Sequence, residues 1–324
     1  MSFALRVVVV VSLLLSGFAR AESAFPVTLE HKYGSTTINA EPVRVVSVGF
    51  SDQDDILALG VKPVAVREWY GDMPYATWPW AQDELGDAQP VVLGSRDLDF
   101  EAIAELQPDL IIGVSSGMTE REYQQLSRIA PTLPQSGEYI DYGVPWDVRT
   151  RTIGKALGQF EQADALVNRL DARIDALRDS HPEFHGKTAA VAFYYNGDIG
   201  AYTSSDLRSR LLVRLGFDIP AAYDDIAGDA FYASFSEERI DLLDVDALIW
   251  LSGGDALKTS DALTLRPTLR AYQQGREIFV GDLLAGAYSF FSPLSLDYVL
   301  DELVPELALA VDGDPSTLVP SSAQ

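Results

Sequence analysis

The stretch Phe160–Ser180, FEQADALVNRLDARIDALRDS, contains neither Gly nor Pro and lies between two halves that each alternate apolar strands with helices. Its apolar positions Phe160, Ala163, Val167, Leu170, Ile174 and Leu177 recur at intervals of three and four, which puts them on one helical face with charges covering the rest. At 1.5 Å per residue such a helix is about 30 Å long, the diameter of a small domain. Two readings are open: a surface helix on one core, or a connector between two.

Outward from it, apolar runs at residues 43–48, 64–66, 90–93 and 110–114 predict strands in the first half, with helices at 51–59, 99–106 and 119–129. After it, strands are expected at 188–195, 247–251 and 277–280, and helices at 205–215, 237–243 and 294–309. This alternation implies an α/β fold of two lobes, each a mainly parallel sheet flanked by helices. A shift of 137 residues also lays Glu101, Ile103, Leu106, Asp109 and Leu110-Ile111-Ile112 over Glu238, Ile240, Leu243, Asp246 and Ala247-Leu248-Ile249. This faint repeat favours two similar lobes, residues 22–158 and 183–324, joined by one long helix within 159–182. A helical connector resists bending, so little closure is expected about a standing cleft, the usual place for a small-molecule site.

Arg6, the apolar run Val7–Leu15 and Ala19-Arg20-Ala21 form the n-region, h-region and small-residue cleavage site of a signal peptide, residues 1–21. The run is too short for a bilayer span. There is no cysteine, hence no disulfide, thiolate metal site or lipid-bearing Cys. A net charge of −24, becoming −26 once Arg6 and Arg20 leave, argues against nucleic acid and anionic membranes as partners.

The sharpest enzyme-like signal is Gly113-Val114-Ser115-Ser116-Gly117, a G-x-S-x-G between a strand and a helix, as in a nucleophile elbow. A secreted serine hydrolase using Ser115 is therefore the rival of another class. Its only downstream histidines are His181 and His185, awkwardly placed just after the central helix; otherwise the turn is a strand-to-helix connection. His31, His181 and His185 are scattered, with no metal-ligand spacing. Asp52, Asp54 and Asp55 form an acidic cluster that reads as helix capping.

Aromatic residues crowd the predicted loops. Trp69, Tyr70, Tyr75, Trp78 and Trp80 follow the second strand; Tyr139, Tyr142 and Trp146 precede the central helix. Tyr194, Tyr195 and Tyr202 follow the first strand of the second half, and Tyr288, Phe290 and Phe291 its last. Singly each plugs a loop onto its own lobe; as a set at strand C-terminal ends they are candidate cleft walls. Arg67 and Arg96 are candidate cleft cations for ligand oxygens, or partners of the abundant acids. Two arginines are few for a highly charged anion.

These residues resemble the periplasmic iron-siderophore-binding proteins of ABC importers, over essentially the whole mature chain. The resemblance rests on Arg44-Val45-Val46-Ser47, Trp69-Tyr70-Gly71-Asp72 with Trp78-Pro79-Trp80-Ala81, Asp99-Phe100-Glu101 leading into Leu106-Gln107-Pro108-Asp109-Leu110-Ile111-Ile112, and Leu126-Ser127-Arg128-Ile129-Ala130-Pro131-Thr132. It implies two lobes joined by a helix and a non-enzymatic, monomeric, periplasmic receptor. The receptor would need no cofactor or protein metal site and would deliver a ferric siderophore to an inner-membrane permease and its ATPase. It further implies docking through one glutamate per lobe, Glu120 and Glu238, with Glu122 and Glu237 as close competitors. Cobalamin and haem binders share the Pro-Asp-Leu-Ile-Ile stretch and stand as the alternative within the fold. The implied ligand set is Arg67, Trp69, Tyr70, Trp78, Trp80, Arg96, Trp146, Tyr194, Tyr195, Tyr202, Tyr288 and Phe290.

Overall fold

The computed structural model describes residues 24–195, 197–251, 258 and 260–323; the expected signal peptide lies outside the described residues. A hairpin, β1 (Val27–His31) and β2 (Gly34–Ile38), precedes the first sheet. That sheet contains β3 (Val45–Ser47), β4 (Ala65–Arg67), β5 (Val91–Leu93), β6 (Leu110–Gly113) and β7 (Thr132–Pro134). Their order is β5-β4-β3-β6-β7, parallel throughout. Four of these strands are buried along their length or nearly so, as a sheet covered on both faces requires. The helices of this lobe are α1 (Asp52–Ala58), α2 (Gln82–Leu85), α3 (Phe100–Glu105) and α4 (Glu120–Leu126).

The second sheet contains β8 (Ala189–Tyr195), β9 (Asp198–Tyr202), β10 (Tyr232–Phe235), β11 (Ala247–Trp250) and β12 (Glu277–Phe279). Its order is β10-β9-β8-β11-β12, with β8, β11 and β12 parallel and β9 and β10 added antiparallel at one edge. After α5 (Trp146–Ala156) and α6 (Phe160–Ser180) come α7 (Leu207–Leu215), α8 (Ala222–Ala227), α9 (Arg270–Gln273), α10 (Asp282–Phe290) and α11 (Pro293–Ala310). The helix expected at 237–243 is instead a kinked 3₁₀ segment.

The repeat seen in sequence has a structural counterpart. Asp109 opens β6, and its carboxylate accepts the backbone N–H groups of Val43 and Arg44, which lead into the neighbouring β3. Asp246 opens β11 and accepts the N–H and hydroxyl of Thr188, which leads into the neighbouring β8. Each lobe thus fixes the start of its central parallel pair with the same carboxylate device.

The central helix serves both cores. Ala163 of α6 belongs to the first lobe's core, whereas Val167, Leu170 and Ile174 belong to the second's. Its companion α5 does the reverse, with Trp146 in the second core and Ile153 and Ala156 in the first. The two helices close to touching distance at Gly154, where an added Cβ would stand 2.3 Å from that of Ala163.

A second, non-covalent seam runs through the segment Phe290–Leu294 between α10 and α11. The Phe290 ring lies 5.3, 6.2, 5.8 and 5.4 Å from those of Trp69, Tyr70, Trp78 and Trp80. The Phe291 carbonyl accepts from Arg149 at 3.0 Å, and the Ser292 hydroxyl donates to Asp54 at 2.6 Å. Leu294 packs on the small cluster of Leu57, Ala81 and Leu85.

Candidate functional site

A cavity of about 710 Å³ opens between the lobes. The first lobe walls it with Phe50 beyond β3, Trp69 beyond β4, Ser115 beyond β6, the loop Glu138–Gly143, and Arg149. The second contributes Ser204–Arg208 at the start of α7, then Arg210, Phe231 and the C-terminal end of α10, Tyr288–Phe290. In the first lobe these wall residues, apart from Arg149 on α5, follow the carboxyl ends of parallel strands, where open α/β sheets bind ligands.

Beneath the floor, Asp52, Asp54 and Asp55 are fully buried. They do not cap α1, as the sequence suggested: Ser51 holds the N-cap position, and each carboxylate faces another element. Asp52 accepts the N–H and hydroxyl of Ser115; Asp54 accepts from Ser292 and, at 2.8 Å, from Trp80 Nε1. Asp55 accepts from Arg149 Nε at 2.7 Å and from the Thr150 hydroxyl. Arg149 also donates to Ser51 Oγ at 3.0 Å. Burial pushes all three carboxyls up, Asp54 to about 6, while its bonds to Ser292 and Trp80 partly offset this. Asp54 Oδ1 has no hydrogen-bond partner. Among the described residues no group of three His, Cys, Asp or Glu could hold a metal ion.

Trp69, Tyr288 and Phe290 line the cavity. Tyr288 is buried and donates from its hydroxyl to the Arg208 carbonyl at 2.9 Å. Tyr202 underlies the wall, its ring 4.2 Å from the Arg208 guanidinium. Tyr70, Trp78 and Trp80 stand behind Phe290 in the inter-lobe seam: Trp78 stacks on Trp80 at 4.9 Å and contacts Gly71 and Gly286 of the two lobes so closely that neither position has room for a Cβ. Arg67 lies behind Phe50, 4.3 Å from its ring, and is held by the carbonyls of Val48, Ser95 and Arg96. The Arg96 side chain is exposed outside the cavity wall. Trp146 is buried in the second core and borders a smaller cavity of about 350 Å³. Tyr194 packs on the second sheet's core, and Tyr195 at the β8–β9 turn is 71% exposed.

Sequence reasoning missed Arg149, Arg208, Arg210, Phe50 and Phe231. Phe50 was within reach, because it lies two residues beyond the first predicted strand. Arg208 and Arg210 alternate just beyond Asp206, the N-cap of α7, but nothing local shows that this helix end faces the other lobe.

The Gly113–Gly117 turn carries Ser115 to the cavity wall, with its hydroxyl donated to Asp52 and 3.2 Å from Ser51 Oγ. No histidine lines that wall. His31 bonds Thr36, while His181 stacks on Phe184 and bonds Glu183. A general base must lie within hydrogen-bond reach of its nucleophile, and no imidazole does so here. Elsewhere on the surface, Glu120 and Glu238 are both exposed. Their competitors are engaged: Glu122 completes a capping box with Thr119, and Glu237 accepts from Thr264 and Leu265. Among the described residues no helix is long and apolar enough to cross a membrane.

Comparison with known proteins agrees with this architecture. The chain is 29% identical over 231 residues to the probable siderophore-binding lipoprotein YfiY of Bacillus subtilis, covering 69% of this chain and 68% of that one. It superposes on a periplasmic solute binding protein of Mycobacterium smegmatis with a TM-score of 0.79 and 37% identity, over 88% of this chain and 98% of the other. The Streptococcus pneumoniae protein PiaA, solved with ferrichrome, gives 0.74 and 26% over the same shares. The periplasmic binding protein family model matches residues 45–282, and the chain belongs to that family.

Proposed function

We propose that this chain is a non-enzymatic periplasmic receptor that captures a ferric siderophore between its lobes and hands it to an ABC permease. The observation that carries this reading is the inter-lobe cavity itself, with Phe50, Trp69 and Phe290 supplying apolar walls and Arg208 and Arg210 supplying donors. Iron is bound through its chelator, and the chain needs no cofactor of its own. The kinship with siderophore-binding proteins supports the ligand, and the absence of an imidazole beside Ser115 weighs against hydrolysis.

Calorimetric titration with ferrichrome, ferrioxamine B, ferric citrate and a ferric catecholate, beside ferric ion without chelator, tests the proposal. Saturable binding of at least one chelate and none of the free ion is expected. Equal binding of the free ion would overturn it, and binding of cobalamin or haem in place of every chelate would move the assignment within the fold. Docking is assigned to Glu120 and Glu238, the exposed members of their pairs. The double variant Glu120→Ala, Glu238→Ala should keep chelate affinity within about twofold, since surface substitutions away from a site change little, while uptake into cells is lost. Loss of chelate binding would contradict that role.

A further inference from the structure

Resting on the reading of the cavity as a ferric-chelate site, we infer that it selects iron complexes of zero or single positive charge, the hydroxamate class, and rejects trianionic complexes such as the tris-catecholates. The charge on the cavity wall is balanced: Arg149, Arg208 and Arg210 are set against Glu138, Asp141 and Asp206. Arg149 is already paired with Asp55, and Arg208 Nη1 lies 3.0 and 2.9 Å from the two oxygens of Asp206. Just outside the wall, Lys32 pairs with Asp141 at 2.7 Å. Among the described residues Arg210 is the wall cation with no carboxylate in ion-pair range.

Three hydroxamates bring three negative charges to a ferric ion and leave a neutral complex, whereas three catecholates bring six and leave −3. Carrying −3 into an aromatic cavity strips its hydration and demands matching cations. One unpaired arginine does not supply them, and the chain's net charge of −24 adds a field that repels anions during approach.

A neutral complex still has polar oxygens to satisfy, and Arg208 is suited to them. Its charge is cancelled by Asp206, and it lies over the Tyr202 ring. Its bonds to Asp206 run from the backbone N–H and from Nη1. Among the described residues its Nη2 therefore remains a donor on the wall that adds no net charge, while Phe50, Trp69 and Phe290 cover the apolar faces of the complex.

The test is calorimetry on the full mature chain with ferrichrome, ferrioxamine B and the ferric complex of enterobactin, repeated with Asp206→Asn. Asn also caps helices well, so α7 should persist. The two hydroxamate complexes should bind about a hundredfold or more tighter than the catecholate. Ferrichrome affinity should change less than about twofold between low and high salt, as expected when no net charge is transferred. Asp206→Asn, which adds one positive charge to the wall, should narrow the gap about tenfold by favouring the −3 complex. If that variant does not fold, Glu138→Gln at an exposed position should narrow it in the same direction. Catecholate binding as tight as ferrichrome would overturn the inference while leaving the receptor reading intact, as would a folded charge variant with an unmoved ratio. Failure of every complex to bind would remove the receptor reading and this inference with it.

Discussion

Asp54 concentrates the electrostatic tension of the inter-lobe seam. Its carboxyl is fully buried, receives two donors from different elements, and has no cation bonded to it. Native Asp54 holds its proton up to about pH 6, whereas the unfolded chain releases it near 3.8. The native state therefore binds more protons between those values, so this group adds stability as pH falls below about 6 and loses that contribution as pH rises through 6. Thermal unfolding followed by circular dichroism should show the midpoint rising by a few degrees from about pH 7 to pH 5, with a smaller rise in Asp54→Asn. A variant whose pH response matches the parent's would show that Asp54 is not the linked group. Trp69 is the residue-scale counterpart for ligand: it lines the cavity and is only partly buried, so Trp69→Ala should weaken chelate binding by about 1–3 kcal/mol with little change in the unfolding midpoint. Of the expected aromatic set, Trp69, Tyr288 and Phe290 line the cavity, and Trp69 lies two residues beyond β4. Trp78 and Trp80 share its segment but turn into the seam, and only the opposing Gly286 and Phe290, some two hundred residues away, decide that.

The elements that sequence periodicity exposes are those whose burial is local. The runs at β3, β4, β6, β8 and β11 are short and apolar, and the stripe on α6 repeats every three to four residues, so each announces itself within a single window. β9 and β10 escaped because their short runs are broken by Gly200 and Ser234 rather than continuously apolar; Asn196-Gly197 is the local hairpin signal that points to them. α5 escaped because its apolar positions are divided between two cores, which blurs a single-face pattern. The α5–α6 contact is testable. Gly154→Val would drive a side chain into Ala163 and the Gln159 carbonyl, and should lower stability by about 1–3 kcal/mol in chemical denaturation. An unchanged midpoint would mean that the helices part without cost. Gly286→Val should act similarly at the second seam by pushing on the Trp78 ring.

For the whole molecule, the covalent link through α6 and the seam through Phe290–Leu294 hold the lobes together at two places. The sequence showed only the first. Hinge closure would have to break the buried bonds of Arg149 to Phe291 and of Ser292 to Asp54 together with the ring contacts of Phe290, so these contacts oppose closure. Small-angle scattering should accordingly record nearly the same radius of gyration with and without ferrichrome, and a large contraction would count against two-point bracing. The most direct measurement is a fluorescence titration of the mature protein with ferrichrome, in parallel with Trp69→Phe. Saturable quenching at one equivalent is expected, with the largest single share lost in the variant because Trp69 is the tryptophan lining the inter-lobe cavity. Absence of saturable quenching by ferrichrome or any other ferric chelate, or quenching that Trp69→Phe leaves unchanged, would contradict capture between the lobes.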